Sequence, residues 1–142
     1  MKPEEVNAMT DVEKRIKAAE LDGWTQCASR GGDGVLGVPP KEWLDRHCDE
    51  FAAYGILYHL PDYLNETATA WELVESAKKS YESSHGSVLE KFTEHILSEV
   101  SGMNMNTFVG PSVISVLSTI FYGLSPRRIT EAFILAMTAE GA

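Results

Sequence analysis

Leu60-Pro61-Asp62-Tyr63-Leu64-Asn65, followed by Ala70-Trp71-Glu72-Leu73-Val74-Glu75, is one half of the pattern that decides the fold. Leu124-Ser125-Pro126-Arg127-Arg128-Ile129-Thr130-Glu131-Ala132-Phe133 is the other. Each reads as a loop, a helix start and an amphipathic helix. Pro61 fixes its own backbone dihedral and removes a donor. Asn65 is a good N-cap, and Glu66 suits the positive end of the helix that follows. In the second block Ser125 caps and Pro126 takes the first helical position. Ala68, Trp71, Val74 and Ala77 form one stripe, and Ile129, Phe133, Ala136 and Met137 another. Lys78 and Lys79 suit the end of the first helix, and Gly141 ends the second.

Working toward the N-terminus, Thr10 and Glu13 have capping-box spacing and open a helix to Glu20, with Val12, Ile16 and Ala19 on one side. Gly23 stands where a helix ends in a left-handed turn. Residues 1–9 read as a flexible end, and residues 10–142 as one globular domain. Arg30-Gly31-Gly32-Asp33-Gly34 is a turn, so Trp24–Cys27 and Val35–Val38 can form a hairpin that Pro39-Pro40 terminates. Lys41 to Tyr54 reads as a helix with Trp43, Leu44, His47, Phe51 and Tyr54 on one side. A polar link, Ser80 to Gly86, leads to a second capping box at Ser87 and Glu90. The helix it opens carries Leu89, Phe92, Ile96 and Val100, and Gly102 stops it. Residues 111–122 mix strand composition with helical spacing; the reading is helix first, then extended from Ile120. The expected core is Ile16, Trp24, Phe51, Leu64, Trp71, Val74, Phe92, Ile96, Ile120, Ile129 and Phe133. The fold class is α+β, a mostly helical single domain with a small antiparallel sheet.

The 142 residues suffice for one core, and 44% hydrophobic with 23% charged residues is the balance of a soluble chain. No apolar run approaches the ~18 residues of a membrane helix. Met1-Lys2-Pro3-Glu4-Glu5 carries no signal-peptide apolar core, so a cytoplasmic protein is expected. Cys27 and Cys48 do not make a disulfide framework, and reduced thiols are expected.

A net charge of -9 argues against direct nucleic-acid binding, because a binder must neutralise phosphates. Between residues 42 and 75, Glu42, Asp45, Asp49, Glu50, Asp62, Glu66, Glu72 and Glu75 stand against Arg46 alone. Such a surface keeps a protein soluble, imitates nucleic acid, or engages a basic groove on a protein.

The two opening blocks carry a resemblance. A Pro and an aromatic (Pro61, Tyr63) precede a helix of the Ala-Trp-Glu type (Ala70, Trp71, Glu72). A final helix continues as Arg128, Glu131, Ala132 and Phe133, and Trp24 follows the first helix. In these features the chain resembles the phage ABA-sandwich family of small phage and prophage proteins, whose function is largely unassigned. The resemblance covers roughly residues 60–80 and 120–140. It implies a phage or prophage origin, a bacterial host cytoplasm and an α/β/α sandwich. The stretch Pro39 to Leu60 looks like an insertion, and the interval from Ser87 to Tyr122 departs from the short β region usual in the family. No catalytic residue is carried over.

Among chemical candidates, Cys27, His47, Cys48, His59, His85 and His95 lack zinc-site spacing, so no metal is expected. No nucleophile elbow is present, and no cofactor is implied. Gly31-Gly32-Asp33-Gly34 lacks the Lys-Ser/Thr of a phosphate loop. Arg127 and Arg128, in the first turn of the last helix, could hold an anion beside Tyr63 and Trp71. Two cations at that end are locally unfavourable, so Glu131 or Glu72 could neutralise them instead. The leading expectation is a non-enzymatic phage or prophage accessory protein. It would bind a host protein through Glu42, Asp45, Asp49, Glu50, Asp62 and Glu66. The alternatives are a small anionic-ligand binder at Arg127, Arg128, Tyr63 and Trp71, and a small enzyme using His47, His85 or Cys48. A homo-oligomer would bury further area.

Overall fold

Local signals place most elements where the sequence predicts them. The computed structural model describes residues 1–48, 54–84 and 125–138. In chain order these form α1 (Pro3–Ala8), α2 (Asp11–Leu21), β1 (Thr25–Ser29), β2 (Val35–Val38), α3 (Lys41–His47), β3 (Tyr58–His59), α4 (Thr67–Ser84) and α5 (Pro126–Met137). Among the described residues, five α-helices and a three-stranded antiparallel sheet make an α+β, mostly helical domain. The expected Ser87 helix, residues 111–122, Phe51, Phe92, Ile96, Ile120, His85, His95 and Gly141 lie outside the described residues. No described helix is long and apolar enough to cross a membrane.

α2 begins with the expected capping box. Thr10 Oγ1 accepts from the Glu13 N–H at 3.2 Å, and the Thr10 N–H donates to Glu13 Oε2 at 2.6 Å. It ends in a Schellman turn: the Trp24 N–H donates to Ala19 O at 2.9 Å and the Gly23 N–H to Glu20 O at 3.2 Å. Gly23 has φ +102°, the left-handed conformation such a turn needs. The turn delivers Trp24, only 2% exposed, into the core.

The hairpin forms as the turn residues suggest. β1 pairs with β2 (Thr25 opposite Val38, Ser29 opposite Val35), and the Arg30 N–H donates to Gly34 O at 2.8 Å. The register shifts between Thr25 and Ala28, where Gln26 takes φ +53°. β3 adds to the other side of β2, Leu36 facing His59 and Gly37 facing Tyr58.

Three boundaries differ from the expectation. α3 stops at His47, because Cys48 is extended (φ -121°, ψ 158°), and Tyr54 beyond it is exposed. The Asn65 side chain binds the Asp62 carboxylate, so α4 starts one residue later, with the Ala70 N–H on Glu66 O at 3.0 Å. α4 then runs past Lys79 to Ser84. Its buried face is Ala70, Leu73, Val74 and Ala77, while Ala68 is exposed. At the N-terminus, where a flexible end is expected, α1 forms. Val6 is 1% exposed, and the Met1 ammonium donates to Thr138 O at 3.2 Å.

α5 is the centre of the packing. Ser125 Oγ accepts from the Arg128 N–H at 3.3 Å, and Pro126 opens the helix. Ile129, Thr130, Ala132, Phe133, Ile134, Leu135 and Ala136 are all buried, more than one stripe can supply. A helix apolar nearly all round is covered on several sides; here α1, α2 and α4 pack on it. Burying each large side chain contributes about 1.5–3 kcal/mol. Of the expected core, Trp24, Leu64, Val74, Ile129 and Phe133 are buried, and Ile16 and Trp71 are half-buried against it.

Candidate functional site

The Schellman turn that ends α2 also sets Asp22, the C-cap residue after Leu21, facing α4. The Ser76 hydroxyl on α4 donates to Asp22 Oδ1, and the Tyr63 hydroxyl lies 3.4 Å from Oδ2. Burial pushes the Asp22 carboxyl above its ordinary range, against the lowering effects of the Ser76 hydroxyl and the Arg46 charge. Burial likewise raises the Tyr63 phenol, with the Asp22 charge adding to it. Tyr63 is therefore a neutral donor, and two hydroxyls meet the Asp22 carboxyl group.

One turn before Ser76, Glu72 Oε1 meets His47 Nε2 at 2.8 Å. This contact ties the end of α3 to α4. His47 stacks on Trp43 with ring centroids 4.7 Å apart, and Trp43 meets Trp24 edge-on at 5.0 Å. Tyr58 joins Trp43 at 6.0 Å. Glu72 Oε2 and both indole N–H groups are buried with no hydrogen-bond partner among the described residues. His47 faces Glu72 while Ser76 faces Asp22, two separate pairs.

A cleft of ≈ 270 Å³ opens beside these pairs, lined by Leu21, Asp22, Gly23, Pro40, Glu42, Arg46, Ser76 and Met137. A larger recess of ≈ 730 Å³ near Met1, Glu13 and Lys17 is wide open to solvent and holds no buried polar side chain. Chemistry concentrates at the smaller one. Among the described residues, no three His, Cys, Asp or Glu side chains converge as metal ligands would.

Arg127, Arg128, Tyr63 and Trp71 fall in different settings. Arg127 grips Asp11 through two bonds, Nη1 to Oδ1 at 2.7 Å and Nη2 to Oδ2 at 2.9 Å. That hydrogen bonding holds the Asp11 carboxyl below its usual range. The neutralising carboxylate is thus Asp11; Glu131 pairs with Lys14 at 3.2 Å and Glu72 with His47. Arg128 is exposed beside Arg127. Tyr63 is fully buried, so its ring offers no surface to a ligand, and Trp71 is half-buried on α4. Of the acidic set, Glu42, Asp45 and Glu66 are exposed and Asp62 is half-buried; Asp49 and Glu50 lie outside the described residues.

Both cysteines are free thiols. Burial pushes the Cys27 thiol up to about 11, which makes it a poor nucleophile at neutral pH. Asp22 and Ser76 carried no sequence signal: Asp22 before Gly23 reads as a helix-end residue, and only the tertiary fold buries it.

Compared with known proteins, the chain matches no family model, no curated protein and no solved structure.

Proposed function

We propose that the chain is a non-enzymatic accessory protein that binds a basic surface on a protein partner through its exposed carboxylates. The observation that carries this reading is the charge between residues 42 and 75, with Arg46 its only Lys or Arg. Of that set Glu42, Asp45, Glu66 and Glu75 lie exposed. Carboxylates at a surface raise the encounter rate with a basic partner and suppress acidic ones. A phage or prophage origin, with a host protein as the partner, rests on the resemblance of the Pro61–Glu72 and Arg128–Phe133 blocks.

The test uses a fluorescent oligo-lysine peptide as the basic probe, titrated at low and at physiological salt. Binding should weaken steeply as salt screens the charges. The Asp45→Asn/Glu66→Gln variant should weaken it several-fold at low salt. Affinity that ignores both salt and the variant overturns the reading.

A further inference from the structure

The cleft at the end of α2 has a charge arrangement that the exposed carboxylates do not explain. Asp22 and Glu42 line it, and the negative end of the α2 dipole points toward it. Among the described residues Arg46 is the one cation in the lining. Yet among the described residues Arg46 makes no ion pair with Asp22 within 4.0 Å. Among the described residues the hydrogen bonds to Asp22 come from neutral hydroxyls, those of Ser76 and Tyr63, while the Arg46 charge acts on it from a distance without pairing. Taking a carboxylate out of water without a paired cation is costly. A carboxylate so placed at the edge of a cleft is a candidate for ligand recognition.

The rest of the lining fits a thin chain with a charged end. Leu21, Pro40 and Met137 are apolar and would pack along methylene groups. At ≈ 270 Å³ the cleft is smaller than the roughly 300–1,000 Å³ of ordinary small-molecule sites. It has room for one long side chain and not for a cofactor.

We propose that this cleft receives the cationic head of a basic side chain, an alkylammonium or guanidinium, contributed by the partner. Asp22 takes the charge, Ser76 stays its hydrogen-bond neighbour, and Glu42 guards the mouth. This deepens the reading of a basic protein partner and rests on it; Glu42 is common to both, whereas Asp22 and Ser76 belong to the cleft alone. Exposed carboxylates supply long-range attraction; the cleft supplies one anchored contact.

The experiment is an amide-proton NMR titration of the full chain with n-butylammonium, then methylguanidinium, with n-butanol and propionate as neutral and anionic controls. Either cation should give saturable shifts centred on Leu21–Gly23, Glu42–Arg46 and Ser76, and the response of the two decides between lysine and arginine. Asp22→Asn should weaken that binding at least tenfold, with its spectrum otherwise that of the folded protein. Arg46→Gln removes the competing cation at an exposed position and should tighten binding several-fold, which keeps the idea testable if Asp22→Asn fails to fold. Absence of saturation with either cation overturns the proposal. So does propionate binding at the same amides, equal binding of n-butanol, or cation binding unchanged in both variants. The Asp45→Asn/Glu66→Gln variant separates the two readings. If it keeps full oligo-lysine affinity while Asp22→Asn loses n-butylammonium, the surface reading fails and the cleft stands; the reverse result sinks the cleft alone.

Discussion

Thr130 Oγ1 on α5 lies 2.7 Å from the carbonyl oxygen of Tyr63 and 3.0 Å from that of Pro126, within its own helix. One hydroxyl proton serves both acceptors. The Tyr63 bond joins the two sequence blocks that carry the pattern of the fold, across a separation of 67 residues. Thr130 is fully buried, so neither partner has water to fall back on.

Thr130→Val keeps the shape and removes the donor. An orphaned buried carbonyl costs about 1–3 kcal/mol. Denaturant unfolding should show that loss, while Thr130→Ser should keep most of the bond and lose only a methyl group. Equal stability of Thr130→Val and the parent would remove this bond from the account of how the blocks dock.

Lys14 and Glu131 tie α2 to α5 in a less exposed setting than Arg127 and Asp11. The Lys14 side chain is 7% exposed and that of Glu131 20%, at 3.2 Å. Removing one partner strands a charge that is largely out of water. Glu131→Gln should therefore destabilise by about 3 kcal/mol. The Lys14→Met/Glu131→Leu pair should recover most of that, since an apolar replacement faces no desolvation penalty. A double variant as unstable as the single one would show that packing, not charge, is the issue.

Asp22 gives the pH prediction. Its folded carboxyl is raised by burial above its unfolded value, so the folded state binds the proton more tightly. The stability that this proton linkage contributes is complete below the unfolded pKa and is lost as pH rises through the folded one. The ionised form is the one that burial penalises. Asp22→Asn should be more stable than the parent at pH 7, and the gap should shrink as pH falls into the ordinary carboxylate range. Paired urea melts at several pH values read this directly. A gap that widens toward acid would mean that the charged form is the stabilised one. Gain of stability with loss of cation binding is the trade-off expected where a costly group is kept for recognition.

What was legible in the sequence was whatever a few neighbouring residues decide. The Thr10–Glu13 box, the Ser125-Pro126 start and the Gly23 stop are local chemistry, and each stands where it was read. The end of α3 was not legible, because its apolar spacing continues to Phe51 and Tyr54 while the backbone turns extended at Cys48. α1 was missed because a six-residue helix has little strength alone; Val6 against the core holds it. The partner of Arg127 is Asp11, 116 residues away, and no spacing rule reaches that far. Burial of Asp22 depends on the same kind of long-range packing, from α4 and Tyr63.

Gly37 is the most closely packed of the described glycines. A Cβ there would stand 2.9 Å from Cys27 Sγ, 3.0 Å from Leu60 Cδ2 and 3.3 Å from the Thr25 carbonyl oxygen. The first two are side-chain atoms and the third is backbone that β1 fixes. Gly37→Ala should destabilise by about 1–3 kcal/mol through overpacking. Cys27→Ala removes the nearest atom, so in the Cys27→Ala/Gly37→Ala pair the alanine at 37 should cost less than in the parent. Leu60 and the carbonyl remain, and the rescue should be partial. A double-mutant cycle from denaturant midpoints measures the coupling. Strict additivity would place the strain on Leu60 and the backbone, and would leave the Cys27 thiol with no part in why this position is glycine.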